Sequence, residues 1–377
     1  MDFTFTEEQQ AAAEAARGVF AGVAPDAVPS PALTPGAVAD EFDRPLWRRL
    51  ADADLLSLLL REEYGGAGLD AVALCLVLRE SAKVLARVPL LESSAAMAAI
   101  QAFGSSEAKS ALLARAGRGE IVLTVASHGR TGHDPAELAT TARQDDSGWV
   151  LDGVQTAVPW AYDADLVVVP ARTATDRTVL ALVPCGAEGV TLAEQFSTSG
   201  ERLAELRLES VRPAERDVID AEGAWESLRE LLATGTCALA LGLGERVLGM
   251  TSEYASKREQ FGYPIATFQA VAVQSADRYI DLRAMEATLW QAAWRIASGA
   301  PGPLPASGDV AVAKIWASEG VRRVVQTAQH LHGGFGADVD YPLHRYHAWA
   351  KHLELALGPA AAHEEALGDL LAAHPLG

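Results

Sequence analysis

The chain has 377 residues, of which 49% are hydrophobic and 21% charged, and its 31 basic and 50 acidic residues give a formal net charge of -19. That length exceeds what one hydrophobic core usually organises, so two or three domains are expected, and the charge content is too low for a disordered chain. The acidic balance repels phosphate backbones and anionic lipid at long range, which argues against nucleic acid and membrane as partners, although a local basic or backbone-amide site can still hold a small anionic ligand.

The opening MDFTFTEEQQ has no basic region followed by an apolar one, and no apolar run reaches roughly 18 residues. A cytoplasmic location is expected. Thr6 and Gln9 have the spacing of a capping box, and Val19, Phe20 and Val23 follow on a helical repeat. Helical patterns continue over residues 45–60, 71–86 and 93–103, with Gly and Pro punctuation at 64–68 and near Pro89. An all-helical N-terminal domain over 1–119 accounts for this. Near Glu120 shorter apolar runs take over. Asp152-Gly153, set between alternating residues, predicts a hairpin turn, and strands are expected at 166–169, 179–183, 190–193 and 204–208. These make a small antiparallel β domain over 120–222. Helices return at Ala224 and are long: 225–256, apolar all round at 238–243; 267–297, stopped by Gly299-Ala300-Pro301-Gly302-Pro303; 309–331; and one or two after Pro342. A C-terminal four-helix bundle over 223–377 is expected.

Cys75, Cys185 and Cys237 sit in apolar stretches at no metal or redox spacing and read as reduced, buried thiols. Five of the nine histidines fall between His330 and His352. With no Glu-x-x-His in the chain, solvent-facing histidines are expected there and no metal. Gly242-Leu243-Gly244 lacks the setting of a dinucleotide fingerprint and reads as close helix packing. There is no Walker-type lysine loop and no Gly-x-Ser-x-Gly nucleophile elbow.

The stretch from Lys257 to Gln269, KREQFGYPIATFQ, spans a helix end, a turn and the start of another helix. An arginine beside a helix N-terminus suits a diphosphate, and an ordinary capped corner explains the same Gly and Pro equally well. The stretch resembles the acyl-CoA dehydrogenase motif in which an arginine, a Gln-Phe-Gly and a Phe-Gln pair contact the FAD diphosphate and adenosine. The resemblance implies that role for Arg258, Gln260, Phe261, Phe268 and Gln269. The opening through Gln9, the loop Glu62 to Gly68 (with Arg61 where the family has proline) and Trp149 to Gly153 resemble the family too. His330-Leu331-His332-Gly333-Gly334-Phe335-Gly336, followed by Asp340-Tyr341-Pro342, resembles its glycine-rich loop that approaches the flavin diphosphate of a neighbouring subunit, so His330, Gly333 and Gly334 join the cofactor-binding set. Glycines let backbone amides come close to phosphate oxygens. The implied fold is α+β, the acyl-CoA dehydrogenase fold: an N-terminal helical domain, a middle antiparallel β domain and a C-terminal four-helix bundle.

The departures sharpen the reading. His330 stands where the family has glutamine, with Gln329 beside it. Residues 123–130 replace the family's flavin-ring contacts with Leu-Thr-Val-Ala-Ser-His-Gly-Arg. Flavin-dependent α,β-dehydrogenation needs a carboxylate at the substrate Cα. Counting from the matched motifs, the family's two positions for that glutamate are Leu232 and Leu357. Glu230 and Glu226 lie about 200° and 240° from Leu232 around a helix. Glu354 shares the face of Leu357 if that stretch is helical, although a solvated or salt-bridged glutamate is the ordinary reading.

The resemblance therefore implies the base-lacking subunit of a bacterial α2β2 heterotetramer of the type acting on bulky acyl-CoA esters such as steroid side-chain thioesters. Such a chain contributes part of an FAD site while a homologous partner supplies the glutamate. A homotetramer is the other assembly consistent with the resemblance. The alternatives are a structural or binding homologue without flavin, and a flavin monooxygenase of the same fold.

Overall fold

Helix α1 (Glu7–Phe20) begins at a complete capping box: Thr6 Oγ1 accepts from the Gln9 amide at 3.2 Å, and the Gln9 side chain accepts from the Thr6 amide at 3.0 Å. The computed structural model describes residues 4–25, 31, 33–39, 41–131 and 137–374, so Met1-Asp2-Phe3 of the family-like opening lies outside them. Helix α2 (Arg44–Asp52) stops well short of residue 60, because Asp54 turns the chain with a φ of 57°. After a short 3₁₀ turn at Glu62–Tyr64 come α3 (Ala71–Lys83), α4 (Leu90–Phe103) and α5 (Ser106–Gly117). Apolar periodicity did not reveal α5. Its start is set by Ser105, whose hydroxyl accepts from the Ala108 amide.

Eight strands follow: β1 (Leu123–Val125), β2 (Thr140–Asp145), β3 (Gly148–Pro159), β4 (Leu166–Thr173), β5 (Thr178–Pro184), β6 (Val190–Phe196), β7 (Arg202–Val211) and β8 (Val218–Ile219). They form one sheet in the order β6-β7-β3-β2-β4-β5-β8, with β1 beside β4. The sheet is mixed and not purely antiparallel, since β1 and β2 both run parallel to β4. The expected hairpin turn is also displaced. Asp145 pairs with Gly148, which puts the turn at Asp146-Ser147, while Asp152-Gly153 lies within β3. There Gly153 takes a φ of 149° at a register shift against β7, and a Cβ would sit 2.4 Å from Ala139 O. The same backbone freedom that suits Asp-Gly to a turn serves a bulge here.

The C-terminal helices are α6 (Ala224–Lys257), α7 (Gln269–Ser298), α8 (Ala306–His332), α9 (Leu343–Leu355) and α10 (Ala360–Ala373). Between α6 and α7 a small ribbon pairs β9 (Glu259–Gln260) with β10 (Tyr263–Pro264). Helix α6 overturns the expectation that no segment is long and apolar enough to cross a membrane. It is, by length and hydropathy, and 78% of its apolar window is buried within the chain. Its glycines explain how it is buried. A Cβ on Gly242 would sit 2.0 Å from Arg79 O on α3, and one on Gly235 would sit 2.3 Å from Leu91 Cδ1 on α4. One core runs from Ala12 and Leu50 through Leu74, Ile100 and Leu241 to Tyr346 and Leu357, so α1 and α9 share an interior.

Candidate flavin-binding end and cavity

The ribbon after α6 is shaped by two residues of positive φ, Phe261 at 54° and Gly262 at 81°, as a tight two-residue hairpin turn requires. Arg258 ends α6 and is exposed, and its guanidinium makes no ion pair among the described residues. Gln260 and Gln269 are exposed as well. Phe268 packs edge-on against Phe261, with ring centroids 6.3 Å apart. Phe268 is also the N-cap of α7 and offers no side-chain acceptor, so the first amides of that helix keep free donors. An arginine, exposed amides and a helix N-terminus thus meet at one corner, a setting that suits a diphosphate.

The glycine-rich loop lies at the same end of the bundle. Tyr254 of α6 stacks on His332 of α8 at 4.3 Å and on Phe335 at 5.5 Å. Gly333 ends α8 at φ 60° and ψ -140°, and a Cβ on either Gly333 or Gly334 would meet nothing within 4 Å. Open space beside bare backbone is what close approach of a phosphate requires. His330 is exposed, whereas Gln329 is occupied in closing the helix, its amide donating to Gly333 O at 2.9 Å.

Two other histidines of this region correct the expectation of solvent-facing rings. His332 is buried, with Nδ1 2.8 Å from Ala328 O and Nε2 3.1 Å from the Tyr341 hydroxyl, and His344 is buried with Nδ1 2.8 Å from Tyr341 O. They serve packing and the turn. Among the described residues no group of three or more metal-ligating side chains occurs. The three thiols are free, Cys75 and Cys237 fully buried and Cys185 partly so.

The positions counted for the base come together. Leu232 on α6 and Leu357 beyond α9 both line an apolar cavity between α4, α6, α9 and the sheet. Glu354 does not reach it. Helix α9 ends at Leu355, Leu357 takes a φ of 59°, and Glu354 is instead paired to Lys351, with Nζ to Oε2 at 2.6 Å. The helical stretch that would have put residues 354 and 357 on one face is absent. Glu230 points elsewhere too, and burial raises its carboxyl.

The turn that presents Leu357 is held by three basic side chains. Lys314, fully buried on α8, donates to Glu354 O at 3.2 Å, Gly358 O at 3.1 Å and Leu353 O at 3.4 Å. The Leu357 amide donates to His128 Nε2 at 3.3 Å, and its carbonyl takes His363 Nε2 at 2.9 Å. Burial pushes Lys314 down to about 8 and both His128 and His363 down to about 4, so at neutral pH the histidines are uncharged.

Among the polar residues of the cavity wall, Glu92 on α4, His128 after β1 and His352 on α9 escaped the sequence reading. Each sits among other polar residues, Glu92 before Ser93-Ser94, His128 after Ser127 and His352 after Lys351, so nothing local singles it out. Glu92 Oε2 accepts from the Trp160 indole N–H at 3.2 Å, and burial raises its carboxyl to about 7. His352 is lowered to about 4 by burial and by the Lys314 charge. The cavity's free volume is about 100 Å³, below the roughly 150 Å³ of an apolar cavity known to take benzene. The tricyclic ring of a flavin does not fit.

Comparison with known proteins sets this geometry beside its relatives. Residues 6–120 match the family described as "Acyl-CoA dehydrogenase, N-terminal domain", and residues 230–371 match "Acyl-CoA dehydrogenase, C-terminal domain". The chain is 39% identical to Acyl-CoA dehydrogenase FadE27 of Mycobacterium tuberculosis, over 100% of both chains. Among solved structures it resembles a chain of the ChsE4-ChsE5 complex from Mycobacterium tuberculosis, with a TM-score of 0.90, 36% identity and 100% of each chain covered. A chain of a Tcur3481-Tcur3483 steroid ACAD variant aligns with a TM-score of 0.88 and 36% identity, covering 97% of this chain and 98% of that one.

Proposed function

This chain belongs to the acyl-CoA dehydrogenase family of FAD-dependent oxidoreductases, and from that premise we propose that it is the base-lacking half of a paired α2β2 assembly acting on a bulky acyl-CoA thioester. The observation that carries this reading is the pair Leu232 and Leu357, which face one cavity and leave no carboxylate at either counted position. In the reaction the flavin accepts the β-hydride and a carboxylate removes the α-proton. Here the flavin ring and the carboxylate belong to the homologous partner.

This chain's own task is to bind and orient. Arg258 neutralises the diphosphate charge, and the free first-turn amides of α7 donate to its oxygens. Gln260 and Gln269 hydrogen-bond the adenosine half, and Phe261 and Phe268 cover its rings. The backbone of Gly333 and Gly334, with His330 at the loop's edge, would hold the diphosphate of a neighbouring subunit's flavin. Phe261 is 91% exposed in the single chain. Such a ring is ordinarily covered, and a flavin together with a neighbouring subunit would cover it. The ChsE4-ChsE5 complex supports the paired assembly by likeness.

Co-expression with a homologue carrying the missing glutamate tests the reading. The pair is expected to purify as a yellow α2β2 complex that is bleached anaerobically by a steroid side-chain acyl-CoA, while this chain alone holds little flavin. A chain that alone binds stoichiometric FAD and oxidises acyl-CoA would refute it, and so would a colourless complex.

A further inference from the structure

We propose that the cavity behind Leu232 and Leu357 is a binding site in its own right, taking a small uncharged molecule of up to one six-membered ring that carries a single hydroxyl or carbonyl group. The inference goes beyond the flavin reading and does not rest on it, since the cavity lies within this chain and is too small for the flavin ring.

Size comes first. A free volume of about 100 Å³ approaches the roughly 150 Å³ that accepts a benzene ring, and the walls include the flexible side chains of Leu232, Leu239 and Leu353. A single ring enters with small rotamer changes, whereas an acyl chain with its CoA does not.

Polarity comes second. An empty apolar cavity has no need of polar groups, yet this one carries Glu92, His128 and His352 in its wall. Glu92 is engaged with Trp160 and His128 with the Leu357 amide. His352 packs its ring edge-on near Trp349, centroids 6.4 Å apart, and makes no hydrogen bond among the described residues. A half-buried imidazole in the cavity wall with no partner of its own is left to pair with a ligand hydroxyl or carbonyl.

Charge comes third. The histidines are uncharged at neutral pH, and the Arg202 guanidinium in the wall is already paired with Glu194 at 2.7 Å, so the wall holds no free counter-ion for a carboxylate. A charged ligand would lose its hydration without compensation.

The test is calorimetric titration of the full chain, together with whatever partner it purifies with, using phenol, benzene and benzoate as probes. Phenol is expected to bind one saturable site per chain, about tenfold tighter than benzene and more than tenfold tighter than benzoate. Leu232→Trp, which fills the cavity, is expected to abolish phenol binding. His352→Phe keeps the volume and is expected to erase the preference for phenol over benzene. The second variant decides the matter if the first fails to fold. Absence of a saturable phenol site, benzoate binding as tight as phenol, or an unchanged phenol preference in His352→Phe would each overturn the proposal. None of these outcomes depends on flavin, so they separate from failure of the paired-assembly reading.

Discussion

The amide of Leu357 donates to Nε2 of His128, 3.3 Å away and 229 residues earlier in the chain. The bond ties the end of β1 to the turn after α9 and requires that nitrogen to be unprotonated. A pH dependence follows.

His128, His352 and His363 are each lowered to about 4 by burial, below the ordinary 6.5 or so of the unfolded chain. Between these values the unfolded state holds more protons, so stability falls as pH drops from 6.5 toward 4. Glu92, raised to about 7, works the other way, since the folded state keeps its proton as pH falls from 7 through the ordinary carboxylate range. Three groups against one leave a net loss, roughly 1 to 3 kcal/mol per pH unit near pH 5. Denaturant titrations at pH 5, 6 and 7 should reveal it. His352→Phe should reduce the slope by up to one proton, and an unchanged slope would contradict the assignment.

Replacing Lys314 with Met should destabilise the chain by about 2 to 4 kcal/mol. The change removes the desolvation cost of a buried charge but takes the side-chain donor from the carbonyls of Leu353 and Gly358, while Glu354 O keeps the Ser318 hydroxyl at 3.1 Å, and the lost acceptor partners dominate. Hydrogen exchange at the Leu357 amide is expected to accelerate with it, because the turn loses its main clamp.

Gly242→Ala should cost about 1 to 3 kcal/mol by overpacking. Its new methyl would sit 2.0 Å from Arg79 O, which is backbone and cannot rotate away. Gly249→Ala on the same helix meets nothing within 4 Å and is the control. It should be neutral or slightly stabilising. Thermal melting distinguishes the two.

Arg258→Ala should leave folding stability within about 0.5 kcal/mol of wild type, because the side chain is exposed and unpaired in the described chain. In the complex it should weaken flavin retention about 10- to 100-fold, the value of a charge-assisted hydrogen bond to phosphate. Flavin release under dilution, followed by fluorescence, measures this.

Most of the architecture was legible because it is written in local patterns. The capping box of Thr6 and Gln9 stands where the residues placed it, and the stop after Ser298 follows from its Gly and Pro cluster. Asp152-Gly153 misled because its permissive backbone suits a bulge as well as a turn, and only the pairing partner chooses between them. Glu354 shares the face of Leu357 only in a continuous helix, and α9 ends two residues too early for that, at Leu355.

The sequence by itself determined the order of helices, strands and helices, the exposed Arg258 to Gln269 corner with its glycine-rich companion, and the leucines at 232 and 357. Only the tertiary structure decided that those leucines share one cavity with Glu92, His128 and His352, and that its histidines are uncharged. The reason is the range of the forces involved. Periodicity and capping act over three or four residues and are visible in a string, whereas desolvation depends on neighbours drawn from α4, β1, α6 and α9, which no local pattern brings together.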